Sequence, residues 1–174
     1  VLIGLTGYAR VGKDSTADFM VRDYDYVKMS FADPMRKALV TLDPIIRLGE
    51  SMPVHLSQVL PSMTWDELKA ESPDIRPLMQ RLGTEVGRNM FGENFWVNLA
   101  MAEAEKLENV VFADVRFKNE ADAISEAGGI IIRVSREGFG PANEHVSETD
   151  MDDYPVDYVI NNSSNLDKLS AKVN

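Results

Sequence analysis

Gly7-Tyr8-Ala9-Arg10-Val11-Gly12-Lys13 reads G-x-x-x-x-G-K, the spacing with which a loop between a strand and a helix curls around phosphate groups. Glycines let several backbone N–H groups turn inward, and the helix N-terminus behind them adds its positive end. Lys13 brings a mobile charge to the outer phosphates. Such a loop cradles a nucleoside triphosphate, whereas a glycine-bearing turn without a ligand is the plain alternative. Gly7, Arg10, Gly12, Lys13, Asp14, Ser15 and Thr16 are the expected nucleotide-binding residues. Asp14 stands where a magnesium-binding Ser or Thr is usual, with Ser15 and Thr16 directly after it. Mg²⁺ takes oxygen ligands and keeps some water, so the Asp14 carboxylate and the Ser15 hydroxyl could hold it. The alternative for Asp14 is a cap at the start of the helix.

Asp114 ends an apolar run, the place from which a second acid reaches the magnesium of a phosphoryl-transfer site. Arg116, two residues on, could face the transferring group, or the pair could be an ordinary surface ion pair. Arg133 and Arg136 lead into a loop with Gly138, Gly140, Pro141 and His145, the composition of a lid over residues 135–155. His55 and His145 have no spacing that suggests a metal site. Between the second and third expected strands lie Arg36, Arg76, Arg81 and Arg88, cations suited to an acceptor that carries its own phosphate, although each alone could be a solvated helix face. Asp33 and Trp96 complete the candidate acceptor side, with Phe95 and Trp96 either stacking on a base or filling core.

The elements that must position these groups follow from the apolar pattern. Strands are expected at residues 1–6, 26–31, 109–114, 129–134 and 158–161, those at 1–6 and 109–114 buried, with helices at 14–22, from Asp33-Pro34 to Leu39, across Leu78, Leu82, Val86 and Met90, after Gly92, at 120–127 and at 166–173. Asp33 reads as an N-cap before Pro34. From Thr41 to Pro77 the pattern weakens among five prolines, which reads as an insertion containing one capping-box candidate, Thr64 to Glu67. Strands alternating with helices imply an α/β fold, a doubly wound, largely parallel five-stranded sheet with helices on both faces and ligands at the carboxyl ends of its strands.

Six segments carry a resemblance: GYARVGKDST at 7–16, SFADPMRK at 30–37, LMQRLGTEVGRNMFGENFWV at 78–97, DVRFKNEADA at 114–123, HVSE at 145–148 and VINNSSNL at 159–166. Together, and in this order, they resemble the deoxynucleoside monophosphate kinases of bacteriophages. The resemblance implies a P-loop, adenylate-kinase-like fold that moves the γ-phosphoryl group of ATP, with Mg²⁺, to a deoxynucleoside monophosphate. It implies one kinase domain over 1–174, with an acceptor-binding insertion at about 36–100 and a lid at about 135–155. By that similarity Lys13, Asp14 and Ser15 belong to the ATP–Mg²⁺ site, Arg136 belongs to the lid, and Arg116 and the arginine-rich segment belong to the acceptor. It also implies a phage or prophage origin, the host cytoplasm and often a homodimer. Residues 41–74 lie outside the resemblance, and that stretch is where the acceptor base would be chosen. A kinase for phosphomevalonate or dephospho-coenzyme A would share every donor-side residue. A non-catalytic nucleotide-binding module would not need Arg116 and Arg136.

Composition agrees with one globular domain of 174 residues. With 28 acidic against 18 basic side chains, and a formal charge of −10, a broad footprint for nucleic acid or an anionic membrane is not expected. An anionic ligand must meet a local cluster of cations. The absence of cysteine excludes disulfides and thiolate metal sites. No apolar run approaches the ~18 residues of a membrane span and no leader-like segment is present, so a soluble, cytoplasmic protein is the expectation. The chain opens on Val1, so an initiator Met is expected to precede it.

Overall fold

A computed structural model describes residues 1–141 and 149–162. Residues 142–148 of the expected lid, His145 among them, and the helix expected at 166–173 lie outside the described residues. The chain divides into two compact units, one formed by Val1–Phe31 with the described residues from Ala100 onward, the other by Ala32–Leu99.

The first unit is built on five parallel strands, β1 (Leu2–Thr6), β2 (Val27–Met29), β5 (Val110–Phe112), β6 (Ile130–Ser135) and β7 (Tyr158–Asn161), in the order β2-β5-β1-β6-β7. β1 lies at the centre, with Ile3 opposite Val111 on one side and Gly4 opposite Ile131 on the other. Period-two alternation sends successive β1 residues to opposite faces. Ile3 and Leu5 pack with Ala17 and Met20 of α1 (Lys13–Tyr24), joined by Val111, Ala113, Ile132 and Ile160. Gly4 serves the other face, where a Cβ would come within 2.7 Å of Ile124 Cδ1 and 2.8 Å of Ile131 Cδ1. That lets α7 (Lys118–Glu126) seat close against the sheet. Helices therefore cover both faces, as the sequence pattern requires. Consecutive strands β5 and β6 flank β1, so a crevice opens at the carboxyl end of β1, where ligands bind in such sheets.

The second unit is more regular than its prolines suggest. It contains α2 (Asp33–Leu42), an antiparallel pair β3 (Ile45–Ile46) and β4 (Val54–His55), short helices α3 (Leu56–Val59), α4 (Trp65–Glu71) and α5 (Ile75–Gln80), and a π-helix over Arg81–Phe91. α6 (Phe95–Ala104) follows. Leu39, Ile46, Leu56, Leu68 and Ile75 form its own core. The expected capping box is present: Thr64 accepts from the Glu67 N–H, and the Glu67 carboxylate accepts from the Thr64 N–H. Two expectations are corrected. The N-cap of α2 is Ala32, with Asp33 inside the first turn and paired to Arg36 Nη1 at 2.9 Å. The apolar positions 78–90 lie on α5 and a π-helix, not on a single α-helix. Spacings of four residues fit either winding, so periodicity alone does not separate them.

The π-helix has a packing partner in Trp96. The indole N–H donates to Gly83 O at 2.9 Å, and a Cβ on Gly87 would lie 2.0 Å from Trp96 Nε1. Because the ring is rigid, Gly87→Ala is expected to displace Trp96 and lower stability by about 1–3 kcal/mol. A urea titration followed by tryptophan fluorescence reads both effects.

Candidate active site

The loop after β1 is shaped by a close approach. Gly7 has φ +136°, and a Cβ there would sit 2.1 Å from the backbone oxygen of Val134 in the neighbouring strand β6. Only glycine passes at that point. Arg10 follows at φ +66° with its side chain exposed, and Gly12 at φ +105° is the N-cap of α1. No side chain caps the first turn of α1, so its N–H groups face the loop. Asn162 braces the loop from the end of β7: its side-chain amide donates to Val11 O at 2.8 Å and its backbone N–H to Ser135 O at 2.7 Å. Nothing in its spacing announced that role, although it falls inside a segment that carried the resemblance.

Lys13 is nearly buried and lays its ammonium on the loop, donating to Gly7 O at 2.6 Å and Tyr8 O at 2.8 Å. Thr16 is fully buried and returns its hydroxyl to Gly12 O at 2.9 Å, a bond within the helix. Asp14 is 82% exposed and pairs with Lys28 of β2 at 2.9 Å, and Asp18 pairs with the same ammonium at 3.0 Å. Burial opposes the charge of Lys28, but the hydrogen bonds it donates to the two carboxylates outweigh that and raise its pKa above lysine's usual value.

A cleft of about 130 Å³ opens beside this loop. Lys13, Arg116, Arg133 and Arg136 all line it, with Val115, Val134, Phe139 and Met151 as apolar wall. It gathers four cations in a chain of net charge −10. The cations differ in what they do. Arg133 donates to the backbone oxygens of Met151 and Tyr154, which fastens the turn at 149–154 to β6. Arg136 lies over the Phe139 ring at 4.9 Å, a cation–π contact at the rim. Arg116 follows β5, and the N–H groups of residues 116 and 117 both donate to Glu120 of α7, at 2.8 and 3.2 Å. Tyr8 gives its hydroxyl to Asp152, and that bond, with some burial, pushes its pKa up. Glu120 and Tyr8 lie inside segments that carried the resemblance, but neither the Glu120 contacts nor the Tyr8–Asp152 contact was expected from the sequence.

Asp114 carries a buried Oδ1 and accepts a hydrogen bond from Ser30 Oγ at 2.8 Å on Oδ2. The donor set of the first unit fits a nucleoside triphosphate with its cation: a glycine cradle that a Cβ would fill, uncapped helix N–H groups, and carboxylate and hydroxyl oxygens of the kind Mg²⁺ takes. Among the described residues, no three His, Asp or Glu side chains cluster as a metal cage.

Of the expected acceptor residues of the second unit, Arg36 and Arg76 share a neighbour: after Lys69, whose hydrogen bond counts most, both lower the pKa of Asp66. Arg36 pairs with Asp33 and has a buried Nε that lacks a hydrogen-bond partner among the described residues. Arg76 donates to Lys69 O at 3.2 Å, and Arg81 lies 3.7 Å from Glu85 on an exposed face. Arg88 is half-buried. Seven residues apart on a π-helix, whose turn is wider than 3.6 residues, Arg81 and Arg88 do not share the stripe an α-helix would give them. Trp96 has committed its N–H to Gly83, while its ring meets Phe95 edge-on at 4.8 Å.

The family model described as deoxynucleotide monophosphate kinase matches residues 62–173. Over 99% of its length the chain is 29% identical to a protein of Acanthamoeba polyphaga mimivirus, of which 94% is covered and whose name assigns the same activity provisionally. It is 25% identical to the deoxynucleotide monophosphate kinase of Enterobacteria phage T4, again over 99% of this chain, with 96% of the phage protein covered. A solved shikimate kinase from Aquifex aeolicus superposes with a TM-score of 0.48 at 10% identity, covering 99% of this chain and 93% of the other.

Gly7→Ala combines an unfavourable φ with a backbone clash. It is expected to lower stability by about 1–3 kcal/mol and to weaken phosphate binding together with it. Denaturant midpoints and a nucleotide titration on the same samples check this, and an unaltered midpoint contradicts the steric account.

Proposed function

The chain belongs to the deoxynucleotide monophosphate kinase family, and on that premise we propose that it transfers the γ-phosphoryl group of ATP to the phosphate of a deoxynucleoside monophosphate, with the donor in the cleft beside Gly7. The observation that carries this reading is the convergence of Lys13, Arg116 and Arg136 on one cleft at the carboxyl end of β1. Mg²⁺, bound with ATP, supplies charge neutralisation on the outer phosphates, and Ser15 and the Ser30-held Asp114 are the groups suited to hold it.

The chain's own residues then have separate tasks. Loop N–H groups and the start of α1 receive the phosphates. Lys13 exchanges two loop carbonyls for phosphate oxygens, a charge-assisted contact that is stronger than the one it leaves. Arg136, held at the rim by Phe139, closes with the lid and meets charge as it shifts from the transferring group to the β-phosphate. Arg116 faces the acceptor phosphate. An oxygen of that phosphate bonds to the γ-phosphorus while the bond to the β–γ bridging oxygen breaks, and ADP departs. The attacking oxygen is already anionic, so no general base is required.

On the acceptor side Asp33, Arg36, Arg76, Arg81, Arg88 and Trp96 are carried from the sequence reading. The buried, unpartnered Nε of Arg36 favours Arg36 among the arginines, because an acceptor phosphate would satisfy it. Among the described residues no helix is long and apolar enough to cross a membrane, and the reading places the enzyme where free deoxynucleotides are, in the host cytoplasm.

An ADP-release assay across deoxynucleoside monophosphates, phosphomevalonate, dephospho-coenzyme A and free deoxynucleosides tests the proposal. At least one deoxynucleoside monophosphate is expected to be turned over and the free nucleosides are not. Lys13→Ala should lower kcat by about 10²–10³ with the thermal melt retained. Turnover of a free nucleoside, or full activity in Lys13→Ala, contradicts the assignment.

A further inference from the structure

Asp14 follows Lys13 on α1, and one helical step turns it about 100° away from the side on which the lysine meets the loop. Lys13, Thr16, Ala17 and Met20 form the buried stripe of the helix. Asp14 and Asp18, one turn apart, form the stripe beside it, and both reach Lys28 of the edge strand β2, at 2.9 and 3.0 Å. Lys28 is one-third exposed, whereas its two partners are largely exposed. One cation thus gathers two carboxylates at the first turns of the helix whose N-terminus receives phosphate. An anion on that turn suits the helix dipole when no ligand is present, but it opposes phosphates drawn to the same end.

We propose that Lys28 is a positioning residue for the donor site: it holds the Asp14 carboxylate toward β2 and neutralises it, so that phosphates meet the Gly7 loop without a facing anion. Asp14 is released toward the phosphates only when a divalent cation accompanies them. The inference rests on the reading of this loop as the donor site. It gives the carboxylate after Lys13 a role different from that of the usual Ser or Thr, namely one gated by a second element of the sheet.

The test is calorimetric ATP binding at low ionic strength, once in EDTA and once with excess Mg²⁺. It uses the whole chain and its Lys28→Met, Lys28→Arg, Asp14→Asn and Lys28→Met/Asp14→Asn variants. Lys28→Met is expected to weaken metal-free ATP about tenfold and Mg-ATP less than about twofold, since charge repulsion is felt only without the cation. Lys28→Arg should bind like wild type, and in the Asp14→Asn background Lys28→Met should change neither constant by more than about twofold. Lys28→Gln replaces Lys28→Met if the latter lacks a cooperative melt. Equal weakening with and without Mg²⁺, the same loss in both backgrounds, or no loss at all overturns the proposal. A wild-type protein that binds no ATP overturns the donor-site reading and this inference together, whereas normal wild-type binding with a flat Lys28 cycle overturns only the inference.

Discussion

Everything at the candidate site depends on the passage of Gly7 beneath the Val134 carbonyl. A side chain there would overlap a backbone atom of the adjacent strand, and no rotamer relieves that. The passage is possible because β1 and β6 are hydrogen-bonded neighbours, Gly4 opposite Ile131 and Thr6 opposite Arg133. It has two consequences. The loop leaves the sheet at a fixed angle, with Asn162 gripping Val11 from the far side, and its carbonyls at Gly7 and Tyr8 form the seat on which Lys13 rests. Sheet order, not local loop chemistry, therefore sets the cradle.

The second constraint is charge. A chain carrying −10 attracts an anion only where cations are concentrated, and the cleft beside the loop concentrates four of them. Three of them are held at protein groups whose bonds are weaker than one to phosphate: backbone carbonyls for Lys13 and Arg133, an aromatic face for Arg136. Arg133 differs in that its two carbonyl partners are separated by a turn of chain that it fastens, so its contact is architectural. Lys13 and Arg136 have partners they can leave.

The central strands of the first unit were legible because strands buried on both faces read as unbroken apolar runs, 129–134 matching within one position; 158–161 matched residue for residue although that edge strand is largely exposed. The glycine loop was legible because its spacing follows directly from backbone geometry. The second unit was less so. Its elements are mostly shorter than eight residues, too short for periodicity to register, and its core of Leu39, Ile46, Leu56, Leu68 and Ile75 gathers residues up to 36 positions apart. The π-helix at 81–91 packs Gly83 and Gly87 against Trp96, a contact that no local pattern encodes. Lys28 and Asn162 were missed for the same reason, because each acts on the loop helix or the loop from another strand.

The central claim is that donor phosphates occupy the loop between Gly7 and Lys13. The most direct measurement is an amide ¹H–¹⁵N titration of the labelled protein with Mg-ATP. The largest saturable shifts are expected at the amides of residues 7–15, with smaller ones at 115–116 and 134–136. Shifts absent from the loop, or gathered instead around Phe91–Leu99, would contradict it.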